Sequence, residues 1–172
     1  MIVYYVAASL DGFIATLETG LAWLAPFEGR AQDHGYGDFY ASIDAVLVGG
    51  RTYDACLAHG EWPFPGKPCW VLTRKDRGQA HAHATFTDRA PSDLARELVR
   101  LGLKRAWLLG GGELAGAFRD AGLIDELVIT HAPVILGDGI PIFGFSSERQ
   151  PVELVGSRTF ADGVVQSHYR RA

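Results

Sequence analysis

WLLGGGEL, residues 107–114, is the stretch that decides the fold. A short apolar run leads into three glycines, and Leu114, Ala117, Phe118 and Ala121 then repeat with the spacing of one helix face. The predicted order is therefore strand, glycine turn and helix. Glycines at such a turn let backbone amides approach an anion at the positive end of the helix. The alternative is a tight turn that needs a positive φ.

A second segment, AVLVGGRT at residues 45–52, has the same construction and leads into a predicted short helix over residues 53–58. Two helix N-termini of this kind could hold one pyrophosphate between them. A third predicted strand ends in Thr73, Arg74 and Lys75, a hydroxyl followed by two cations, which suits a ribose 2′-phosphate. The alternative for this third segment is a solvated strand end.

The remaining pattern predicts an α/β protein. Apolar runs with little alternation indicate strands buried on both faces, as in a parallel sheet covered by helices. A further helix is predicted from Pro91 to a stop at Gly102, and two β-rich segments around residues 161–163 predict an antiparallel hairpin. The strands are predicted over residues 2–8, 45–48, 69–72, 106–109, 127–135, 152–160 and 164–169.

Composition narrows the class of protein. A length of 172 residues fits one domain, and a net charge of −4 without blocks of like charge argues against a nucleic-acid or acidic-membrane surface. Cys56 and Cys69 are too few for a disulfide framework and have no CxxC spacing, and the N-terminal apolar run is too short for a signal sequence or a membrane span. We therefore expect a cytoplasmic protein with a small-molecule partner.

Five segments in order carry a resemblance to a known family: AASLDGFIA, DAVLVGGRTYD, VLTR, LLGGGELAGAF and DELVITHAPVILGDGIPIF. Together they resemble the dihydrofolate reductase-like superfamily, most of all the branch that holds the reductase domain of riboflavin biosynthesis and its stand-alone relatives. The resemblance implies a mostly parallel eight-stranded sheet with an antiparallel C-terminal edge, helices on both faces, and a homodimer in many relatives. It also implies an enzyme that uses NADPH, without metal or flavin, to reduce a pterin-like or ribosylamino-pyrimidine heterocycle.

The resemblance assigns cofactor residues by position. It places Ala8 and Ile14 beside the nicotinamide, and two glycine turns at the pyrophosphate. The first turn holds Gly49, Gly50, Arg51 and Thr52, and the second holds Gly110, Gly111, Gly112, Glu113 and Leu114. Leu72, Thr73 and Arg74 would hold the adenosine half. Gly50 departs from the family pattern, because relatives commonly carry a basic side chain there, so the preference for NADPH over NADH rests on Arg74 and Arg51.

For the chemistry, the resemblance assigns Asp33 as the acid that binds and helps protonate the substrate, and Thr130 as its hydrogen-bonding support. The alternative for Asp33 is the cap of a helix over residues 34–42. Asp11, at the end of the first strand, and Phe39 are further substrate-binding candidates, although Asp11 also suits a turn before glycine.

Two further alternatives concern metal binding and activity. The HxH pair at residues 81 and 83 lacks a third ligand at a recognisable spacing, so no metal site is predicted. A protein of this pattern could also bind the nucleotide without turnover, as a module or sensor.

Overall fold

The computed structural model describes residues 1–18, 20–27, 33–58, 60, 62–75, 82–146 and 148–172. Its main sheet has eight strands in the order β5-β4-β3-β6-β1-β7-β10-β9, and a small second sheet pairs β2 with β8. The strands are β1 (Ile2–Ala8), β2 (Phe13–Ala15), β3 (Ala45–Gly49), β4 (Cys69–Leu72), β5 (Ala84–Thr87), β6 (Ala106–Gly110), β7 (Glu126–His131), β8 (Ile140–Pro141), β9 (Val152–Thr159) and β10 (Val165–Arg171). The helices are a 3-10 helix (Ala22–Phe27), α1 (Tyr36–Ser42), α2 (Gly50–Ala58), α3 (Pro91–Arg100) and α4 (Gly112–Asp120).

The predicted sheet class is confirmed. Each pairing among β5, β4, β3, β6, β1 and β7 is parallel, and β10 runs antiparallel to both β7 and β9. The predicted C-terminal hairpin is formed by β9 and β10, which turn at residues 160–164. β9 is an exposed edge strand in which no residue is buried.

Alternate residues of the parallel strands supply two different hydrophobic clusters. Ile2 and Tyr4 belong to the cluster that contains residues of α3 and α4, whereas Val3 belongs to the cluster that contains Phe39 of α1 and Tyr53 of α2. Because successive side chains of a strand point to opposite faces, each face of the sheet carries its own core. This explains why the strands read as continuous apolar runs.

Several predicted boundaries were wrong. α2 begins at Gly50 rather than at residue 53, because the second glycine of the pair is already helical while Gly49 ends β3, and α1 begins at Tyr36 rather than at residue 34. β7 ends at His131 instead of continuing to residue 135, since Pro133 has no N–H with which to extend the ladder. The short strands β2, β5 and β8 were missed.

No helix among the described residues is long and apolar enough to cross a membrane.

Candidate functional site

Two glycine turns meet at the point where the sheet reverses its direction of winding. β3 and β6 are neighbours, but the chain leaves β3 through α2 toward β4 on one side and leaves β6 through α4 toward β7 on the other. Ligands of open α/β sheets bind in the crevice at the carboxyl ends of such strands. We call residues 49–52 and 110–114, which form this crevice, the glycine clamp.

The two halves of the glycine clamp are in close contact. A Cβ added at Gly49 would lie 3.6 Å from the Gly110 carbonyl oxygen, and one added at Gly111 would lie 3.3 Å from Thr52 Oγ1. Arg51 of α2 and Glu113 of α4 form an exposed ion pair of 2.7 Å across the crevice. The absence of side chains at Gly49 and Gly111 therefore leaves backbone amides open to an anion between two helix N-termini.

The three glycines that join β6 to α4 have three different reasons to be glycine. Gly110 has φ +109°, so the positive-φ alternative applies at this position. Gly111 has φ −70°, a value open to any residue, and its glycine serves the approach to Thr52. A Cβ on Gly112 would overlap the Pro141 carbonyl oxygen, so this glycine serves the packing of α4 on the loop that contains β8.

The residues predicted to border the two ends of the cofactor lie on either side of the glycine clamp. Ile14 of β2 is 4.0 Å from the position of a Gly111 Cβ, and Ala8 is fully buried at the end of β1. On the other side, Leu72 pairs with Gly49 in the sheet. Thr73 follows β4 and Arg74 lies beyond it. The sequence-predicted set thus forms one row along the carboxyl edge of β4, β3, β6 and β1.

A cavity of about 210 Å³ lies farther along the same edge, beyond β1. Its wall contains aromatic, aliphatic and polar side chains from both ends of the chain. Two of the polar residues, Asp33 and Thr130, were predicted as catalytic. The lining residues are Tyr5, Ala7, Leu24, Phe27, Asp33, His34, Tyr36, Thr130, Ala132 and Val164.

Asp33 lines the cavity, but its carboxylate faces the backbone of its own loop. Its two oxygens accept hydrogen bonds of 2.9 Å from the N–H groups of Gly35 and Gly37 at the start of α1. These bonds, first that from Gly37, lower the pKa of Asp33. The carboxylate thus holds the first turn of α1, as the capping alternative expected, but from outside the helix, because the N-cap residue is Gly35.

Thr130 is buried on β7, and its hydrogen-bond partner differs from the expected one. Thr130 Oγ1 accepts a hydrogen bond of 2.9 Å from Gln166 Nε2 of β10, and among the described contacts Asp33 and Thr130 do not bond each other. The expected direct bond is therefore not formed in this structure: the Asp33 carboxylate faces the backbone of its own loop, and Thr130 pairs with Gln166 instead.

Sequence reasoning missed a polar network behind the cavity wall. Gln166 Nε2 also donates to the His34 carbonyl oxygen at 3.0 Å and lies 3.3 Å from Tyr5 Oη. Burial raises the pKa of Tyr5, with the hydrogen bond from Gln166 acting in the opposite direction. The only sequence signal for Gln166 was a single amide side chain in a predicted strand, which is weak without its partners.

His34 and Asp162 form a second missed pair. His34 Nε2 and Asp162 Oδ2 are 2.8 Å apart, and both side chains are more than four-fifths buried. Asp162 lies in the turn between β9 and β10. The sequence predicted a hairpin there but no functional role for Asp162. Because the two residues lie 128 positions apart in the chain, no local motif connects them.

The remaining candidates lie outside the cavity wall. Asp11 accepts hydrogen bonds from Ser9 Oγ at 2.7 Å and from the N–H groups of Leu136 and Gly137 at 3.1 and 2.7 Å, as expected of the turn alternative. Phe39 is buried and stacks on Tyr5 with ring centroids 4.0 Å apart, so it reaches the cavity through Tyr5 and not directly.

The HxH pair falls only in part within the described residues. Residue 81 lies outside the described residues, and His83 is exposed. Across the described ranges, no group of three or more His, Cys, Asp or Glu side chains could hold a metal.

Residues 1–166 match the family model for the RibD C-terminal domain. The chain belongs to the RibD C-terminal domain family. Among known proteins, it is 36% identical over 171 residues to the uncharacterized protein YwjB of Bacillus subtilis strain 168, a match that covers 99% of this chain and 97% of that one.

Two solved structures show the same fold. One is a Shewanella sp. PV-4 protein named for riboflavin biosynthesis, with a TM-score of 0.90, 27% identity, and 99% and 98% of the two chains covered. The other is the Thermotoga maritima diaminohydroxyphosphoribosylaminopyrimidine deaminase/5-amino-6-(5-phosphoribosylamino)uracil reductase, with a TM-score of 0.77 and 16% identity. This chain is covered completely but spans 56% of that bifunctional protein. The dihydrofolate reductase-like fold is thereby confirmed.

Proposed function

We propose that this member of the RibD C-terminal domain family is an NADPH-dependent reductase that transfers a hydride directly to a small heterocyclic substrate. One observation carries the proposal: the glycine clamp and the cavity lie on consecutive strands at the carboxyl edge of the sheet, the clamp at β3 and β6 and the cavity at β1 and β7. A dinucleotide held by the clamp would have its nicotinamide end near Ala8 and Ile14, next to a substrate in the cavity.

The residues present fit such a cofactor. Gly49 and Gly111 leave space that a Cβ would fill, at two helix N-termini suited to a pyrophosphate. Arg74 lies beyond β4, on the side expected for an adenosine 2′-phosphate. Arg51 pairs with Glu113 and can exchange that partner for a phosphate oxygen. When bound, NADPH would supply the hydride.

The cavity fits a flat, partly polar molecule. Tyr5 and Tyr36 provide aromatic wall, while His34 and Thr130 provide polar groups. Compounds with a C=N bond in or beside a heterocycle, including a dihydropterin and a ribosylamino-pyrimidine, have this shape and chemistry. The homodimer implied by the resemblance and the cytoplasmic location expected from the composition stay predictions.

The test has two stages. Isothermal titration with NADPH and NADH measures cofactor binding, and loss of NADPH absorbance is then followed with 7,8-dihydropterin, dihydrofolate and 5-amino-6-(5-phosphoribosylamino)uracil. We expect micromolar or tighter NADPH binding and turnover of at least one compound. Tight NADPH binding without turnover of any compound would favour the binding module or sensor, and absence of NADPH binding would reject both functions.

A further inference from the structure

His34 has an unusual backbone conformation at the cavity wall. Its φ of +52° lies in the left-handed region, which is uncommon for a residue other than glycine although His tolerates it better than most. Gln166 and Tyr5 hydrogen-bond its carbonyl oxygen at 3.0 and 3.3 Å, and Phe160 contacts the imidazole edge to face at 4.7 Å between centroids. The surrounding structure thus fixes both the backbone and the ring.

The contact with Asp162 determines which ring nitrogen faces outward. Asp162 Oδ1 accepts a hydrogen bond from the Val164 N–H at 3.2 Å, and Oδ2 contacts His34 Nε2. Burial acts to raise the pKa of Asp162, but the bonds from His34 and Val164 hold it below its ordinary value. An ionised carboxylate can only accept hydrogen bonds, so Nε2 carries a proton.

The second ring nitrogen is available to a molecule in the cavity. In the part of the chain that the structure describes, His34 Nδ1 has no hydrogen-bond partner, and it does not belong to the buried unpaired side-chain atoms. His34 is one of the residues that form the cavity wall. A fixed imidazole with a carboxylate on one nitrogen and the other nitrogen open is the arrangement of a general acid–base group.

Asp33 is less suited to deliver a proton. Both of its oxygens accept backbone hydrogen bonds, and those bonds favour the charged form, which has no proton to give. His34 differs because its Nδ1 atom has no hydrogen-bond partner among the residues that the structure describes. The titratable and charged groups around His34 in the described elements are Asp162 of the hairpin turn, Asp33 of its own loop, Tyr5 of β1, Tyr36 of α1, and Arg158 of β9 behind the Phe160 ring.

We propose that His34 hydrogen-bonds the reacting C=N nitrogen of the substrate and delivers the proton that accompanies hydride addition, with Asp162 as its positioning residue. This inference rests on the proposed function. The imine carbon forms a C–H bond with the hydride from a dihydronicotinamide, which is oxidised. The C=N electron pair moves to nitrogen, which forms an N–H bond with the proton that leaves Nδ1 of the imidazolium. A proton from bulk solvent, the one consumed in the overall reaction, then reprotonates Nδ1.

The closing experiment compares wild type with His34→Asn, since Asn tolerates the left-handed backbone. His168→Gln on β10, whose ring lies 3.6 Å from Glu126, is the matched control. With the best compound of the panel, we expect His34→Asn to lower kcat by about 10²–10⁴-fold with NADPH affinity unchanged. Asp162→Asn should lower kcat less than His34→Asn, because the imidazole stays but loses the carboxylate that orients it, and Asp162→Glu, which keeps the carboxylate, should recover part of that loss. The control should match wild type.

A binding readout accompanies turnover. Histidine ¹H–¹⁵N spectra are recorded in the NADP⁺ complex as 7,8-dihydropterin is added, and we expect a saturable shift of the His34 ring nitrogen signals, assigned by their loss in His34→Asn. Turnover by wild type with His34→Asn within threefold of it would overturn the role of His34 while keeping the reductase. If wild type neither turns over nor binds any compound of the panel, the reductase and the His34 role fail together.

Discussion

The glycine clamp and the cavity lie on consecutive strands of one sheet edge, but different parts of the chain build them. The clamp consists of two turns, each formed by consecutive residues, and its proposed anion-binding groups are backbone amides. The cavity uses side chains from β1, the 3-10 helix, the α1 loop, β7 and the β9–β10 turn. A site lined by backbone is damaged by adding atoms, whereas a site lined by side chains is damaged by removing them.

Adding a single atom at the tightest glycine should have the largest effect. We expect Gly112→Ala to lower the free energy of unfolding by about 3 kcal/mol, because its Cβ would overlap the Pro141 carbonyl oxygen and push α4 from the β8 loop. Chemical denaturation measures the loss. Gly156→Ala is the control, since a Cβ there meets nothing within 4 Å, and it should stay within about 0.5 kcal/mol of wild type. Equal stabilities of the two variants would contradict the prediction.

Adding atoms at the neighbouring glycine should separate binding from folding. Gly111→Val projects into the gap between the two halves of the clamp, where Thr52 Oγ1 lies 3.3 Å from the new Cβ. We expect the Kd for NADPH to rise by roughly 100-fold, about 2.7 kcal/mol, with a smaller loss of stability than Gly112→Ala. Calorimetric titration measures the Kd, and chemical denaturation measures the loss of stability. Normal NADPH binding by this variant would mean that the triple glycine forms only a turn and does not bind the pyrophosphate.

A side chain at the outer end of the clamp should affect the choice of cofactor. Arg74→Ala should narrow the preference for NADPH over NADH by roughly 1–3 kcal/mol, the range for a hydrogen bond to a charged group. Lys104→Ala, which removes an exposed cation before β6 at the opposite end of the sheet, is the control and should leave the ratio of NADH to NADPH affinity unchanged. The ratio of the two dissociation constants is the measurement, and equal NADH and NADPH affinities in wild type would refute the assignment of Arg74.

Removing charge at the cavity wall tests which alternative for Asp33 holds. Asp33→Asn loses one of two acceptor oxygens for the N–H groups of Gly35 and Gly37, so we expect a stability loss of about 0.5–2 kcal/mol. Turnover should fall far less than in His34→Asn. Thermal unfolding and the turnover rate are measured together. If turnover instead falls by roughly two orders of magnitude with stability unchanged, Asp33 and not His34 would be assigned as the proton donor.

The smallest effect is expected at Asp11, which ties the β1–β2 turn to the loop after β7. Hydrogen bonds, first that from Ser9, lower its pKa to about 2 from an ordinary value of 3.8. Because the folded-state pKa lies below the unfolded value, this contribution to stability is present above about pH 4 and is lost as the pH falls toward 2. Asp11→Asn should therefore differ from wild type at pH 7 and converge with it near pH 2. Parallel denaturation curves at every pH would contradict this.

The sequence by itself determined the sheet class, the antiparallel hairpin, helices α3 and α4, and the position of the glycine turns. These features depend on periodicity and on runs of neighbouring residues, so a contiguous stretch such as residues 107–114 contains the whole signal. The resemblance to the riboflavin reductase branch used the same contiguous segments, which explains why the family match over residues 1–166 confirmed it.

Only the tertiary structure decided the cavity. The orientation of the Asp33 carboxylate, the Gln166 bond to Thr130 and the His34–Asp162 pair depend on how β7, β10 and the α1 loop pack. Side-chain hydrogen bonds between residues distant in the chain leave no spacing to detect, because their partners become neighbours only through the sheet order. Backbone sites can therefore be found from local sequence, whereas side-chain sites of this kind require the fold.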